Sequence, residues 1–114
     1  MKLSTLRNKC DKLLQEYYVP KNPQCYVCGG KTSEMHHFIP KSQSRYLRYH
    51  IDNLVPLCKG CHFAHHTKGD TSVGAKIGFI KGEKWFDDLQ LKRRIIQKEN
   101  KEFYTNIITK LEDK

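Results

Sequence analysis

The sequence predicts a small α+β fold, in which a strand–strand–helix core lies between an N-terminal helix and a helical C-terminal tail. Apolar residues recur at helical spacing near both ends of the chain. Between these stretches, two Cys-x-x-Cys pairs enclose short β-prone runs, and all six histidines fall within residues 36–66. With 114 residues, the chain has room for one domain with a modest core. We therefore expect a single domain over residues 1–114.

The N-terminal segment, residues 1–20, is predicted to be an amphipathic helix over residues 3–18. Its apolar positions are Leu3, Leu6, Cys10, Leu13, Leu14 and Tyr17. They recur every three or four residues, as one face of a helix requires. Because Cys10 belongs to this stripe, we expect a buried thiol there rather than a metal ligand.

The two Cys-x-x-Cys pairs, Cys25/Cys28 and Cys58/Cys61, form the strongest metal-ligand pattern in the sequence. Two thiolates at this spacing can face one ion, and two such pairs complete a tetrahedral site suited to zinc. We therefore predict a structural zinc on all four cysteines. The alternative is four buried cysteines without a metal, which the repeated spacing disfavours.

The core, residues 24–69, is predicted to contain two strands and a helix. The first strand covers residues 35–39, and a second over residues 46–50 pairs with it as a short hairpin. The apolar run at 54–57 should pack under the second cysteine pair. A helix is predicted over residues 59–67, where a glycine soon ends it.

The segment around and between the cysteine pairs carries more polar chemistry than a structural zinc needs, since four ligands suffice for that ion. The additional residues are His36, His37, His50, Asn53, His62, His65 and His66. Their clustering disfavours histidines scattered over a surface. It points to a second site.

Over residues 25–66 the sequence resembles the HNH endonucleases, also called ββα-metal or His-Me finger nucleases. The resemblance rests on the pair His36-His37, on Asn53 sixteen residues after it, and on His62 nine residues later. It implies a zinc-stapled ββα-metal finger that hydrolyses DNA phosphodiester bonds.

The resemblance also implies a role for each motif residue. His37 is the general base, and a neutral imidazole with a pKa of about 6.5 suits that task. His36 and His62 hold the catalytic divalent metal, and His66 completes the set. Asn53 either orients the base or joins the metal shell. Imidazole ligands suit Mn, Ni, Co or Zn, whereas Mg favours oxygen; we expect Mg or Mn to be used.

Three polar residues near the motif are not expected to be metal ligands. We predict that His50 and His65 lie on the surface or support the ligands from behind. Glu34 is interpreted as a solvated strand residue.

The formal net charge of +9 is unevenly placed. Residues 1–82 carry 13 Lys and Arg against 5 Asp and Glu, whereas residues 83–114 carry 8 against 7. A basic body indicates a polyanion such as DNA, although charge alone would also fit a ribosomal protein or a merely soluble surface. The candidates for phosphate contact are Lys41, Arg45, Arg48, Lys59 and Lys68.

The C-terminal tail, residues 73–114, is predicted to be helical and to break at Gly82. Beyond Trp85 it forms either one long helix or two joined near Asn100. Its apolar stripe would cover the domain's own core, and it is also compatible with a homodimer.

A narrower resemblance links the chain to the Rap-type recombination endonucleases of lambdoid phages. It rests on Leu47-Arg48-Tyr49 and on Gly69-Asp70 before the tail. It implies branched DNA, including Holliday junctions, as substrate. His36 and His62 depart from that group's pattern.

The sequence thus predicts a metal-dependent HNH endonuclease of phage or prophage type. The alternative is a zinc-stapled nucleic-acid-binding module without catalysis, which would not need His37, Asn53 and His62 together. The chain shows no apolar run that could span a bilayer and no signal-peptide pattern, so we expect a cytoplasmic protein in a bacterium or an infected host.

Overall fold

The computed structural model describes residues 2–66 and 72–112, which contain six α-helices, one 3₁₀ turn and one two-stranded sheet. In chain order the elements are α1 (Leu3–Tyr18), β1 (Glu34–His37), α2 (Arg45–Arg48), the 3₁₀ turn (Ile51–Asn53), β2 (Leu54–Leu57), α3 (Lys59–His66), α4 (Ser72–Lys81), α5 (Glu83–Lys92) and α6 (Lys101–Glu112). None of these helices combines the length and the apolar character that crossing a bilayer requires.

Strands β1 and β2 pair antiparallel, with His36 opposite Val55 and Met35 opposite Pro56. A proline inside a strand is tolerated where its missing N–H would face away from the partner strand. Here the backbone groups of this pair point outward: the carbonyl of Pro56 accepts a hydrogen bond from Tyr26, and both backbone groups of Met35 bond the side chain of Gln15.

The predicted second strand at residues 46–50 is wrong, because the chain forms the short helix α2 there. The hydroxyl of Ser44 accepts a hydrogen bond from the backbone N–H of Leu47 at 3.0 Å and caps this helix. Burial of Leu47 then holds the turn in place. The true second strand is β2, so the predicted order of strand, strand and helix is confirmed with a different second strand.

Helix α1 has the predicted bounds and packs against α6. Leu6 and Cys10 are buried with Tyr104, and the Cys10 thiol lies 3.5 Å from the carbonyl oxygen of Tyr104. The apolar stripe of α6 therefore covers the protein's own core. The predicted homodimer would use other residues of the tail, among them Leu91 and Ile96.

The tail forms three separate helices that cover the core from two sides. The break at Gly82 is confirmed, and its φ of +96° is a conformation that favours glycine. Helix α4 packs Ile77 behind the first cysteine pair, in a cluster with Cys25 and Val55. Helix α5 packs Leu89 against the buried residues near α2. Residues 93–100 separate α5 from α6, which resolves the predicted alternatives in favour of two helices.

Candidate metal centre and active-site cleft

The four cysteines of the two pairs converge, and all four sulfur atoms lie within 4.8 Å of one another. The Sγ atoms of Cys28 and Cys58 are 3.5 Å apart. Zn–S bonds of about 2.3 Å in a tetrahedron separate the sulfurs by about 3.8 Å, so the cluster has the size that zinc needs. It is the one group of this kind within residues 2–66 and 72–112. The predicted metal-binding cluster is confirmed, and its donor set is the one that structural zinc prefers.

Local backbone geometry builds this cluster. The first pair sits on a turn in which the N–H of Cys25 donates to the carbonyl of Gly30 at 2.6 Å. Gly29 has a φ of +78°, a conformation that favours glycine. In the second pair, the backbone N–H of Cys61 donates to the sulfur of Cys58 at 3.3 Å, a contact that stabilises a thiolate.

The thiols of the cluster differ in acidity. Burial opposes ionisation of Cys25, but hydrogen bonds from the backbone at Cys28 and Cys58 outweigh it and lower the pKa of Cys25 to about 6. Burial and the neighbouring sulfurs raise the pKa of Cys61 far above its ordinary value. One thiolate thus forms readily and disfavours the next, so a bound cation is what allows all four sulfurs to act as ligands.

Beside the sheet lies a cleft of about 530 Å³, between α1, β1, α3 and the loop after β1. Four of the six histidines line it, together with Lys41 and other residues. The lining histidines are His36, His37, His62 and His65. Four of the seven additional polar residues therefore lie at one place.

Three imidazoles pack together in this cleft. His36 is buried, and its ring centroid lies 5.7 Å from that of His62 and 4.9 Å from that of His65. Residues two apart on a strand share a face, so Glu34 lies on the side of His36. Its carboxylate is 2.8 Å from Nδ1 of His62. With the Nδ1 proton donated to Glu34, the lone pair of His62 is on Nε2, where a metal can bind it.

Glu34 is a strand residue with 41% of its side chain exposed, as predicted, and it also pairs with His62. His65 packs against His36 inside the cleft, which fits the predicted position behind the ligands. A signal was present in the sequence: His62 and His65 are three residues apart, so they share a helix face. His66 is the last residue of α3, and its side chain lies outside the described part of the protein.

His37 is the last residue of β1, and its side chain leaves the strand on the face opposite to that of His36. Both residues nevertheless line the cleft. Its Nε2 atom lies 2.8 Å from the backbone carbonyl oxygen of Arg48. A carbonyl can only accept, so the proton is on Nε2 and the lone pair is on Nδ1. Burial is the main cause of a pKa of about 4 for His37, against the opposing effect of the Arg48 carbonyl. The ring is thus neutral at physiological pH.

Comparison with known proteins bears on this arrangement. A family model for HNH endonucleases matches residues 25–68. These residues, the HNH segment, are thus similar to the HNH endonucleases. The match spans both cysteine pairs and the histidines of the cleft, which confirms the resemblance seen in the sequence. No curated protein and no solved structure matches the chain.

Asn53 of the HNH segment is fully buried, and backbone groups occupy its side chain. Its Oδ1 accepts a hydrogen bond from the N–H of Ile39 at 2.7 Å. Its Nδ2 donates to the carbonyl oxygens of Ile39 and Leu47, at 3.0 and 3.3 Å. Asn53 thus closes the loop between β1 and α2. Its catalytic role, whether orienting the base or joining the metal shell, stays a prediction.

Three of the five basic residues predicted to contact DNA are lysines. Lys41 is exposed and lines the cleft of the HNH segment. Lys59 is exposed at the first position of α3. Lys68 lies outside the described residues. Lys41 is therefore the lysine best placed to contact a phosphate in the cleft.

The two arginines of α2 are engaged in ion pairs. Arg45 lies 2.9 Å from a carboxylate oxygen of Glu99 while remaining half-exposed. Arg48 forms two hydrogen bonds to the carboxylate of Asp11, at 3.0 and 2.5 Å, and only 17% of its side chain is exposed. The guanidinium of Arg48 is thus held by a carboxylate of α1, although Arg48 also lines the cleft. Its contact with a phosphate stays a prediction.

Proposed function

We propose that the protein is a metal-dependent endonuclease that hydrolyses DNA phosphodiester bonds in the cleft of its HNH segment. The observation that carries this proposal is the position of His37. It is a neutral imidazole with its lone pair on Nδ1, and it lines the same cleft as His36 and His62. A base and an imidazole cluster that line one cleft supply the two parts that metal-assisted hydrolysis needs.

His36 and His62 would hold the divalent cation. The hydrogen bond between Glu34 and His62 supports this assignment, because it leaves Nε2 of His62 with the lone pair. The family resemblance adds His66, while ring packing in the cleft makes His65 a second candidate. A bound Mg or Mn ion would neutralise charge on the scissile phosphate and assist the leaving oxygen.

The protein's own residues would carry the remaining steps. Nδ1 of His37 takes a proton from the attacking water, and the carbonyl of Arg48 stabilises the resulting imidazolium through Nε2–H. Lys41, on the wall of the cleft, would hold a phosphate of the same strand without reading a base.

For the substrate we propose branched or recombination DNA, on the strength of the Rap-type resemblance. The basic body of the chain supports binding to nucleic acid in general, because Lys and Arg strongly outnumber Asp and Glu over residues 1–82.

One experiment tests activity and substrate together. The zinc-loaded protein is incubated with supercoiled plasmid, linear duplex and a four-way junction, each in Mg, Mn or EDTA. His37→Ala, purified in parallel, controls for contaminating nucleases. We expect cutting in Mg or Mn by the parent protein alone, with the junction cut fastest.

Equal cutting of all three DNA forms would overturn the branched substrate and leave the nuclease. If no divalent metal supports cutting while DNA is still bound, the protein is instead a zinc-stapled nucleic-acid-binding module.

A further inference from the structure

Helix α1 lies outside the HNH segment, yet one of its faces reaches the cleft. Arg7, Asp11 and Gln15 are spaced four residues apart, so they form a polar stripe along one side of the helix. Each of the three bonds a different part of the domain. The apolar stripe of the same helix is occupied by the core.

Gln15 bonds the outer edge of β1. Its Oε1 accepts from the backbone N–H of Met35 at 2.7 Å, and its Nε2 donates to the carbonyl of Met35 at 3.0 Å. A side-chain amide thus satisfies the two groups that another strand would satisfy. This contact fixes the strand residue that directly precedes His36.

Asp11 bonds the C-terminal end of α2. Its carboxylate accepts two hydrogen bonds from the guanidinium of Arg48 and a third, at 2.9 Å, from the hydroxyl of Tyr49. A two-pronged pair of this kind fixes the orientation of an arginine as well as its position. The backbone carbonyl of Arg48 is the group that accepts from Nε2 of His37.

Arg7 holds the other end of α2 through Glu99. The guanidinium of Arg7 and the hydroxyl of Tyr104 both donate to this carboxylate, whose second oxygen lies 2.9 Å from Arg45. Both ends of a four-residue helix are therefore tied to α1, one by a single ion pair and one through a shared carboxylate.

We propose that Asp11 is a positioning residue for His37. By holding Arg48 it fixes the carbonyl that keeps the His37 ring in place with its proton on Nε2. This inference rests on the proposed function, in which His37 is the base. It assigns to a helix outside the HNH segment a part in setting the reactive geometry.

The same contacts would also stabilise the fold. The test therefore needs a measurement that does not change when only the stability of the fold changes. The first reading is the tautomer of His37, which the ¹⁵N shifts of its ring nitrogens report in zinc-loaded, full-length protein. The second reading is a kinetic one: it shows whether the variant changes kcat, KM or both.

The test variant is Asp11→Asn, which keeps the shape of the side chain and removes its charge. We expect a roughly 10- to 100-fold fall in kcat with little change in KM, since a residue that orients a histidine is usually worth about that factor. The ¹⁵N spectrum should show His37 as a mixture of tautomers, in place of the single Nε2–H form of the parent. Because the cleft still holds its own residues, DNA affinity should be unchanged.

Two control variants lie on the same helix. Leu6→Ala removes buried apolar contact without touching Arg48, so it lowers the melting temperature but should keep the parent kcat at a temperature where it is folded. Glu16→Gln removes an exposed carboxylate that pairs with Lys12, and it should alter neither reading.

The proposal is overturned if Asp11→Asn keeps both the parent kcat and a single Nε2–H tautomer. It is also overturned if kcat falls equally in Leu6→Ala. If the parent protein cuts no DNA, the proposed function fails, but the ¹⁵N spectra still decide whether Asp11 fixes His37. Failure of one is therefore distinguishable from failure of the other.

Discussion

Nε2 of His37 lies 2.8 Å from the carbonyl oxygen of Arg48, a residue eleven positions further along the chain. Its neighbour His36 points the opposite way, into the imidazole cluster with His62 and His65. Two adjacent histidines of one strand thus point to opposite faces, because side chains alternate along a strand. This arrangement fits the proposed roles, with His37 as the base and His36 as a metal ligand.

Replacing His37 by Ala should lower the cleavage rate by about two to four orders of magnitude, because general-base catalysis contributes that much. Zinc content and DNA affinity should stay at the parent level. His50→Ala is the matched control, because His50 bonds the N–H of Asp52 and is not among the residues that line the cleft. A His37→Ala variant that cuts at the parent rate would show that the base is assigned wrongly.

His62→Ala should also abolish cleavage, in this case through loss of a metal ligand. Excess Mn should restore part of the activity, because mass action can offset a weakened site. Rates measured over a Mn titration would test this, with His37→Ala as the variant for which no rescue is expected. Equal rescue of both variants would argue against the division of roles between the two residues.

Glu34→Gln should weaken binding of the catalytic metal by about 10- to 100-fold, since carboxylates that orient a ligating histidine usually contribute that much. The motivating contact is the 2.8 Å pair between Glu34 and His62. Isothermal titration of zinc-loaded protein with Mn measures the affinity, and Glu16→Gln serves as the control for loss of an acid. Unchanged affinity would show that Glu34 does not orient His62 for the metal.

The four-cysteine cluster should hold one zinc per chain and contribute folding free energy that a core of this size lacks. Strong chelation, or Cys58→Ser, should abolish the cooperative thermal transition seen by circular dichroism. Cys10→Ala should lower the melting temperature and keep the zinc, because Cys10 is buried on α1 away from the cluster. Elemental analysis without zinc in a cooperatively folded protein would contradict this prediction.

Lys41→Ala should weaken DNA binding about equally for all sequences, because contacts to phosphate carry no base information. The slope of log K against log salt should become shallower by about 0.9. Lys12→Ala, which changes an exposed lysine of α1, provides the control. Arg48→Ala should instead lower stability, since it leaves Asp11 without its partner. A salt slope that is flat in the parent would show that the basic charge does not serve binding.

Asn53→Ala should destabilise the fold, at a cost of about 1–3 kcal/mol for each buried group left unpaired. The backbone N–H and the carbonyl of Ile39 both lose their partner in this variant. Urea unfolding of zinc-loaded protein measures the loss. Asn53→Asp keeps the acceptor for Ile39, so it should lose less. A variant as stable as the parent would contradict the role assigned to Asn53.

The sequence correctly predicted those features that depend on local spacing. The bounds of α1 follow from an apolar stripe with a period near 3.6 residues, and the cysteine cluster follows from two pairs with the same spacing. The HNH match over residues 25–68 covers the His, Asn and His on which the resemblance rests. Each of these signals lies within a few turns of backbone.

The second strand was misplaced because two local signals competed over residues 44–50. The β-prone residues Tyr46 and Tyr49 favoured a strand there, whereas Ser44 at a capping position favoured a helix. Burial of Leu47 and the ion pair of Arg48 decided for the helix. Both contacts involve partners far along the chain, so periodicity in this stretch could not have revealed them.

What the sequence by itself determined is the set of chemical groups: four thiols at ligand spacing, a histidine pair, an asparagine, and histidines on one helix face. The tertiary structure decided what each group faces. Asp11 lies 37 residues from Arg48, and Gln15 lies 20 from Met35, yet these contacts hold α2 and β1 against α1. The reason is physical: a hydrogen bond across such a distance exists only once the core has packed α1 against the sheet, and no local pattern encodes that packing.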